Sequence, residues 1–511
     1  MHNDVPNELW TEIFLHGPRE ALMQLNLTHK RFNSLARPLL FRNFVFDPYE
    51  VGVPVGRLLQ DEETLQDPDS FILKRLEFWT SSEIASYVHL CAVYRSRSLR
   101  GDSAPQHIWM SVTSTAATCE LVGKLCRRLH HLVNLRHLKL SDIEYPALLL
   151  SSISVLPNLR YLEVRSCYPQ EHEGTTDSRP HTATAALDSP PLCEATLEYS
   201  AWPASPGISA KHWYPLLRRD TLRKLSTSLH TWILSQILMG QPFMVVTHLE
   251  LVVSVRRLLQ NVQVFEKFPA MQSLAVVAST EPREPDGNGA FQDARSPVLA
   301  SLGEYRGPPD LLKLFLPLSS LHRLFLSCDD VNHALLHLRL INGSNHITSL
   351  RVHFLDLTHE ELRELCGFFP HLTDLRVKVT VPYWIEDDYE EYHLGKQTNF
   401  EAFDFLTELM ESPPFPIGIE KISVRWKYED DNSHLDDGAP DLKALEDEFL
   451  SRYPALKAMW IDGSPGFLYF WQLGISGVQY DSCSFDYNDD EEKWEKAHAL
   501  RKDLEMRWDN M

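Results

Sequence analysis

The chain has 511 residues, of which 43% are apolar, 10% aromatic and 23% charged. This composition is typical of a globular protein and excludes a wholly disordered chain, a collagen or a disulfide-rich miniprotein. Residues 381–511 carry −18 of the formal net charge of −21, which argues against nucleic acid as the main partner and favours a basic protein partner or a merely soluble surface.

The first 40 residues predict three short helices. Pro6 suits the first turn of a helix, and Leu9 begins an apolar face that continues through that helix. The pair Gly17-Pro18 ends this helix and starts a second one, and Thr28 is the predicted cap of a third. Three short helices bury little apolar surface, so we expect a partner or the rest of the chain to cover their apolar face.

A short phrase, apolar-x-x-Leu-x-x-Leu-x-apolar, recurs along the rest of the chain with a period of about 25 residues. The third apolar position marks each copy. The clearest copies have this marker at Leu138, Leu162, Leu274, Leu324 and Leu375. Weaker copies centre on Leu76, Leu197, Leu225, Leu249, Leu350, Ile422 and Met459. A leucine phrase with this period is the signature of leucine-rich repeats.

Each marker predicts a short strand, and the residues between two markers predict a helix that returns the chain to the next strand. A capping box at Thr358-His-Glu-Glu361 predicts the start of one such helix. One strand and one helix cannot bury their apolar faces alone, so neighbouring copies must stack. The predicted fold class is therefore α/β, with a short helical domain over residues 1–47 and an irregular leucine-rich-repeat solenoid, or horseshoe, over 48–511. An ordinary α/β domain with chance leucine phrases is the alternative.

Two stretches without periodicity, near 168–191 and 281–297, predict inserted loops. Three acidic stretches, 386–391, 429–437 and 486–492, also predict loops. They give the C-terminal part its negative charge and are the reason for expecting a basic partner.

The first helices resemble the F-box. The resemblance lies in Val5-Pro-Asn-Glu-Leu-Trp-Thr-Glu-Ile-Phe14 and in Leu25-Asn-Leu-Thr-His-Lys-Arg-Phe32, which match an opening Leu-Pro-x-Glu-Leu phrase and a closing Leu-Val-Cys-Lys-Arg-Trp phrase. The following Arg37-Pro-Leu-Leu-Phe-Arg42 resembles an extension seen after many fungal F-boxes. An F-box followed by leucine-rich repeats is the architecture of substrate receptors of SCF-type ubiquitin ligases.

This resemblance implies that the F-box helices dock on a Skp-type adaptor, which links the protein to cullin, while the repeats hold the protein to be ubiquitinated. Carried over position by position, it implies adaptor contact, or support for that contact, for Pro6, Leu9, Ile13, Phe14, Leu25, Leu27, Lys30 and Arg31. The alternative role for the apolar members is the core of the F-box itself. For Lys30 and Arg31 the alternative is an ordinary solvated helix surface.

Polar strand positions between the repeat leucines are expected to face the concave side of the solenoid and to contact the protein substrate. The predicted substrate-binding residues are Arg136, His137, Arg160, Glu163, His322, Arg323, Thr373 and Arg376. The alternative for each of them is an exposed polar side chain without a role.

The sequence contains neither a Gly-x-Ser-x-Gly elbow nor a phosphate-binding loop. A metalloprotease-like phrase begins at His359-Glu360, but Arg363 occupies the position of the second metal ligand. We therefore predict a non-catalytic protein with no cofactor, metal or catalytic residue. The second functional hypothesis is a leucine-rich-repeat scaffold for protein interactions, whose F-box-like helices only cap the solenoid.

The start of the sequence does not resemble a secretory signal, and its apolar stretches are shorter than a membrane span. No pair of the eight cysteines has C-x-x-C spacing, which favours reduced thiols. We therefore expect an intracellular protein of the cytoplasm or nucleus that binds neither membrane nor nucleic acid.

Overall fold

The computed structural model describes residues 6–48, 68–94, 116–169, 190–198, 213–228, 231–278, 299–315, 320–328, 330–339, 346–355, 357–381, 402–428, 442–464, 467–474, 477–484, 499, 501–503, 505 and 508. The fold is mixed α/β, with a large, mostly parallel sheet and several helices. The chain divides into two compact units, Met1–Val252 with Lys267–Ala270, and Val253–Glu266 with Met271–Met511. The domain boundary predicted at residue 47 falls inside the first unit.

The first unit contains a run of parallel strands in the order β1-β2-β3-β5-β7-β8-β9, and a separate pair formed by β4 and β6. Its helices are α1 (Asn7–Leu15), α2 (Arg19–Thr28), α3 (Lys30–Leu40), α4 (Pro68–Trp79), α5 (Ala116–Arg128), α6 (Leu148–Ser154) and α7 (Thr231–Met239). Its strands are β1 (Asn43–Phe46), β2 (Leu90–Tyr94), β3 (His137–Ser141), β4 (Glu144–Tyr145), β5 (Tyr161–Arg165), β6 (Tyr168–Pro169), β7 (Glu194–Glu198), β8 (Lys224–Ser228) and β9 (His248–Val253).

In the second unit the strands pair in chain order; β10 to β16 are parallel, and β17 and β18 add an antiparallel hairpin. The helices are α8 (Val255–Gln260), α9 (Leu312–Phe315), α10 (Val331–Arg339), α11 (His359–Gly367), α12 (Ala402–Glu411) and α13 (Leu442–Arg452), with a 3₁₀ turn at Pro309–Leu311. The strands are β10 (Ser273–Ala278), β11 (Glu304–Gly307), β12 (Arg323–Ser327), β13 (Ser349–Phe354), β14 (Asp374–Val381), β15 (Lys421–Tyr428), β16 (Ala458–Ser464), β17 (Phe467–Gly474) and β18 (Gly477–Ser484).

The repeated leucine phrase forms the strands. All five of its clearest markers are buried and lie in strands β3, β5, β10, β12 and β14. Neighbouring markers also pair across the sheet, as Leu138 does with Leu162 and Leu350 with Leu375. The strands predicted at these markers are therefore confirmed, and alternate strand residues point into the core as the phrase requires.

One weak copy of the phrase was wrongly predicted as a strand. Leu76 lies in α4, where Ile72, Leu76 and Trp79 are buried together. The reason is that a spacing of three or four residues between apolar side chains also fits one face of a helix.

Helices α1, α2 and α3 enclose a small core of Phe14, Leu22, Ala36 and Leu40. Three predicted short helices are confirmed, and the break at Gly17-Pro18 separates α1 from α2. The cap of α3 is His29 rather than the predicted Thr28, because the His29 ring accepts a hydrogen bond from the Arg31 N–H.

Several predicted loops fall largely outside the described residues. Within 168–191, Tyr168–Pro169 forms β6 and residues 190 and 191 are described; the remainder lies outside the described residues, as do 281–297, 386–391, 429–437 and 486–492. Among the described residues, none of the helices has the length and apolar character needed to cross a membrane.

Candidate functional site

Exposed apolar side chains stand on α1 and α2. Leu9 and Ile13 lie one turn apart on α1 with 56% and 55% of their surface exposed, and Leu27 on α2 is 80% exposed. Met23, one turn before Leu27, is also exposed. Each of the two helices therefore presents large apolar side chains to solvent, where their contact with water is unfavourable, and together they are a candidate interaction surface.

The predicted adaptor residues divide between this surface and the helical core. Pro6, Leu9, Ile13, Leu27 and Lys30 are exposed. By contrast, Phe14 is fully buried and Leu25 packs against the same core, so both support the surface from beneath. The remaining member, Arg31, donates a hydrogen bond from Nε to Asn7 Oδ1 at 2.7 Å, which ties α3 to α1.

Four of the predicted substrate residues lie in the first unit. Arg136 and Arg160 precede β3 and β5 by one residue, so they lie at the amino-terminal edge of the sheet rather than within a strand. The ring of His137 stacks on Tyr161 with centroids 4.1 Å apart. Glu163 pairs with Lys139 at 2.9 Å and with an arginine of its own strand, so the charges between these strands are balanced.

The other four predicted substrate residues lie in the second unit. His322 and Thr373 again precede their strands by one residue. The side chains of both contact backbone carbonyl oxygens. His322 Nδ1 lies 3.0 Å from that of Ser320, and the Thr373 hydroxyl donates to that of Thr348. Arg323 is exposed, 3.9 Å from Glu304. The guanidinium of Arg376 lies over the ring of Trp508 at 5.6 Å.

A cavity of about 370 Å³ lies in the first unit at the amino-terminal edge of β1, β2 and β3. Its lining consists of Arg42, Asn43, His89, Leu90, Arg136 and His137. Arg136 and His137 were predicted from the sequence as binding residues, whereas Arg42 and His89 were missed. A signal for Arg42 was present, because Phe41-Arg42-Asn43-Phe44 repeats the apolar-Arg-x-apolar pattern of Leu135-Arg136-His137-Leu138.

The two histidines of this cavity have lowered pKa values. For His89 the first cause is burial, followed by the positive charges of Arg136 and Arg42. For His137 it is again burial, followed by Lys139 and Arg42, while Glu194 acts in the opposite direction. Positively charged groups therefore lie close enough to both histidines to disfavour their protonation.

A second cluster, Asp310 with His333 and His337, has the donor types of a transition-metal site. The histidines lie one turn apart on α10, and His333 Nε2 is 3.1 Å from Asp310 Oδ2. The three candidate ligand atoms all lie within 4.8 Å of one another. No metal ligand was predicted from the sequence; the His-x-x-x-His spacing was visible, but Asp310 comes from a separate turn. The same residues form an ion pair when a histidine is protonated.

Four cysteines of the described chain are buried with strongly shifted pKa values. Burial raises the pKa of Cys91, Cys126, Cys167 and Cys366 to about 12. These thiols therefore remain protonated near neutral pH and are poor nucleophiles.

Comparison of the sequence with protein-family models gives no match, and comparison with curated proteins gives no significant match. The function of the chain must therefore be inferred from its own residues.

Proposed function

We propose that the protein is the substrate-recognition subunit of an SCF-type ubiquitin ligase. Helices α1–α3 dock on a Skp-type adaptor, which connects the protein to cullin, and the strand-forming repeats bind the protein to be ubiquitinated. The observation that carries this proposal is the exposure of Leu9, Ile13 and Leu27 on helices that have their own core. The protein itself supplies binding and no chemistry.

The small core explains why these apolar side chains are available. Trp10, Phe14 and Phe32 pack with ring centroids 4.9–5.9 Å apart and hold α1 against α3. Folding of the helices therefore uses one face of α1, and Leu9 and Ile13 occupy another. Apolar anchors at a protein interface typically provide most of its binding free energy.

The arrangement of the strands as a leucine-rich-repeat solenoid is part of the same proposal. We infer a leucine-rich-repeat solenoid because the strands pair in chain order with their markers in register, for example Leu324 with Leu350 and Ile422 with Met459. The polar strand residues then provide the substrate surface. A basic substrate remains a prediction from the net charge, since the acidic stretches lie outside the described residues.

The alternative is a scaffold in which the F-box-like helices only cap the repeats. Helix α3 does contact the following elements: Arg37 pairs with Glu83 at 3.3 Å, and Phe41, at its C-terminal end, packs on Trp79. A cap of that kind needs only α3. Capping by α3 alone does not explain why Leu9 and Ile13 on α1 are exposed. Their exposure therefore favours adaptor docking.

The test is a pull-down of the full chain by an immobilised, purified Skp-type adaptor. We expect the double variant Leu9→Asp with Ile13→Asp to lose binding by about a hundredfold or more, since it removes two exposed apolar anchors that the adaptor would cover in the complex. The matched control is Leu336→Asp with Ile417→Asp, which changes the same residue types at positions 54% and 79% exposed in the second unit. Circular dichroism checks that each variant is folded. Failure of the unaltered protein to bind would refute adaptor docking and leave the scaffold hypothesis.

A further inference from the structure

We propose that the cavity at the amino-terminal edge of β1, β2 and β3 binds a phosphate group, held between Arg42 and Arg136 with His89 and His137 beside them. The group belongs either to a free phosphate ester or to a phosphorylated side chain of the substrate. This site is distinct from the adaptor surface, and its existence does not depend on the ubiquitin-ligase proposal.

The strand ladder brings the two arginines together. The carbonyl of Arg42 accepts hydrogen bonds from the N–H groups of His89 and Leu90, and the carbonyl of His89 accepts from those of Arg136 and His137. Arg42, His89 and Arg136 therefore occupy the same position before three neighbouring strands. Because adjacent strands are about 4.8 Å apart, the two arginines begin about 10 Å apart on either side of His89. Two long side chains can close on one tetrahedral anion from that separation.

The described residues do not balance the positive charges of the cavity. Its lining contains no carboxylate, and within the described part of the chain neither Arg42 nor Arg136 has a hydrogen-bond or ion-pair partner for its side chain. One carboxylate acts on the lining electrostatically: the charge of Glu194 raises the pKa of His137, against the other contributions. Burial is the first cause of the lowered pKa of both histidines, and the neighbouring positive charges of Arg42 and Arg136 lower it further; a bound anion would offset that second contribution.

Two other arginines at the strands of the first unit are engaged with protein groups. Arg160 occupies the equivalent position before β5, but its Nη1 donates to the Pro191 carbonyl at 2.9 Å. Arg165 lies between Glu163 and Glu198. The two arginines of the cavity are thus available for a ligand.

A phosphate group fits this environment in charge and size. It carries a charge of about −1.5 to −2 and three acceptor oxygens, so two guanidinium groups can each form paired hydrogen bonds with it. The cavity volume of about 370 Å³ lies at the lower end of the range for small-ligand sites. A small ester or a single modified side chain is therefore the expected occupant.

The test is calorimetric titration of the full protein with three probes: inorganic phosphate, glycerol 3-phosphate and O-phosphoserine amide. We expect saturable binding of at least one probe, weakened about tenfold or more by Arg42→Gln and again by Arg136→Gln, because each removes a charge-assisted pair of hydrogen bonds. The matched control is Arg223→Gln. Arg223 precedes β8 in the same apolar-Arg-x-apolar pattern, within Leu222-Arg223-Lys224-Leu225, but does not line the cavity.

The probes also distinguish the two sources of the phosphate. Tighter binding of glycerol 3-phosphate assigns the site to a free phosphate ester, and tighter binding of phosphoserine amide assigns it to a phosphorylated side chain. Absence of binding by all three probes, or an equal loss in Arg223→Gln, would overturn the proposal. The variant Arg42→Gln with Arg136→Gln should still bind the Skp-type adaptor. A failure of the phosphate proposal can therefore be distinguished from a failure of the adaptor proposal.

Discussion

At the scale of single residues, burial makes four cysteine thiols unreactive towards alkylating reagents. Cys91, Cys126, Cys167 and Cys366 have a pKa of about 12, so almost no thiolate forms at pH 8. In native protein we expect these four to resist alkylation while partly exposed Cys193 reacts faster. Mass spectrometry after iodoacetamide treatment measures this, with denatured protein as the control. Rapid native modification of Cys366 would contradict it.

The aromatic core of α1–α3 gives a second prediction at this scale. Phe32 contacts Trp10 at 4.9 Å and Phe14 at 5.7 Å between ring centroids. Phe32→Ala should destabilise the helical segment by about 2–4 kcal/mol, because it removes a partly buried ring and its contacts with two other aromatic rings. Hydrogen exchange should then show loss of protection in these helices. Tyr94→Ala, at a 39% exposed position on β2, serves as the control and should leave their protection unchanged.

At the scale of elements, the capping box stabilises the amino-terminal end of α11 through two hydrogen bonds. The Thr358 hydroxyl accepts from the Glu361 N–H, and the Glu361 carboxylate accepts from the Thr358 N–H, as the sequence predicted. Thr358→Ala should cost about 1 kcal/mol of stability, which lowers the melting temperature by about 2–4 °C. Glu361→Gln should cost less, since glutamine also completes a capping box. Equal losses in the two variants would contradict this assignment.

The strands were predictable where the leucine phrase is complete. Leu138 and Leu375 combine the spacing within the phrase with the period between phrases, and few folds other than a repeat produce both together. By contrast, β2 was missed because its inward residues are Cys91 and Val93 rather than leucines. Leu76 was assigned wrongly because a single phrase outside the period fits a helix equally well.

The candidate sites were less predictable than the fold. Periodicity groups Leu9, Ile13 and Phe14 on one apolar side of α1, but it cannot tell which of them another helix covers. Only tertiary packing buries Phe14 and leaves Ile13 at the surface. The cavity also depends on tertiary structure that the sequence pattern does not reveal. Arg42 and Arg136 are far apart in sequence and come together only through the pairing of β1, β2 and β3.

At the scale of the whole molecule, the helical segment and the sheet of the first unit are continuous. The strand β1 lies before the boundary predicted at residue 47, yet it pairs with β2 along its entire length. Phe44 and Phe46 are buried there, and the ring of Phe44 stacks on Trp79 at 5.0 Å. The sheet therefore begins within the segment that the sequence assigned to the F-box.

This continuity predicts different outcomes for two truncations. Deletion of residues 1–40 removes α1–α3 and should abolish adaptor binding while β1 remains on the sheet. Deletion of residues 1–47 also removes Phe44 and Phe46, and losing a buried phenylalanine side chain typically costs about 3–5 kcal/mol. We therefore expect the shorter chain to melt at a lower temperature and to lose hydrogen-exchange protection in β2. Equal melting temperatures would mean that β1 contributes nothing to the sheet and that the boundary does lie at residue 47.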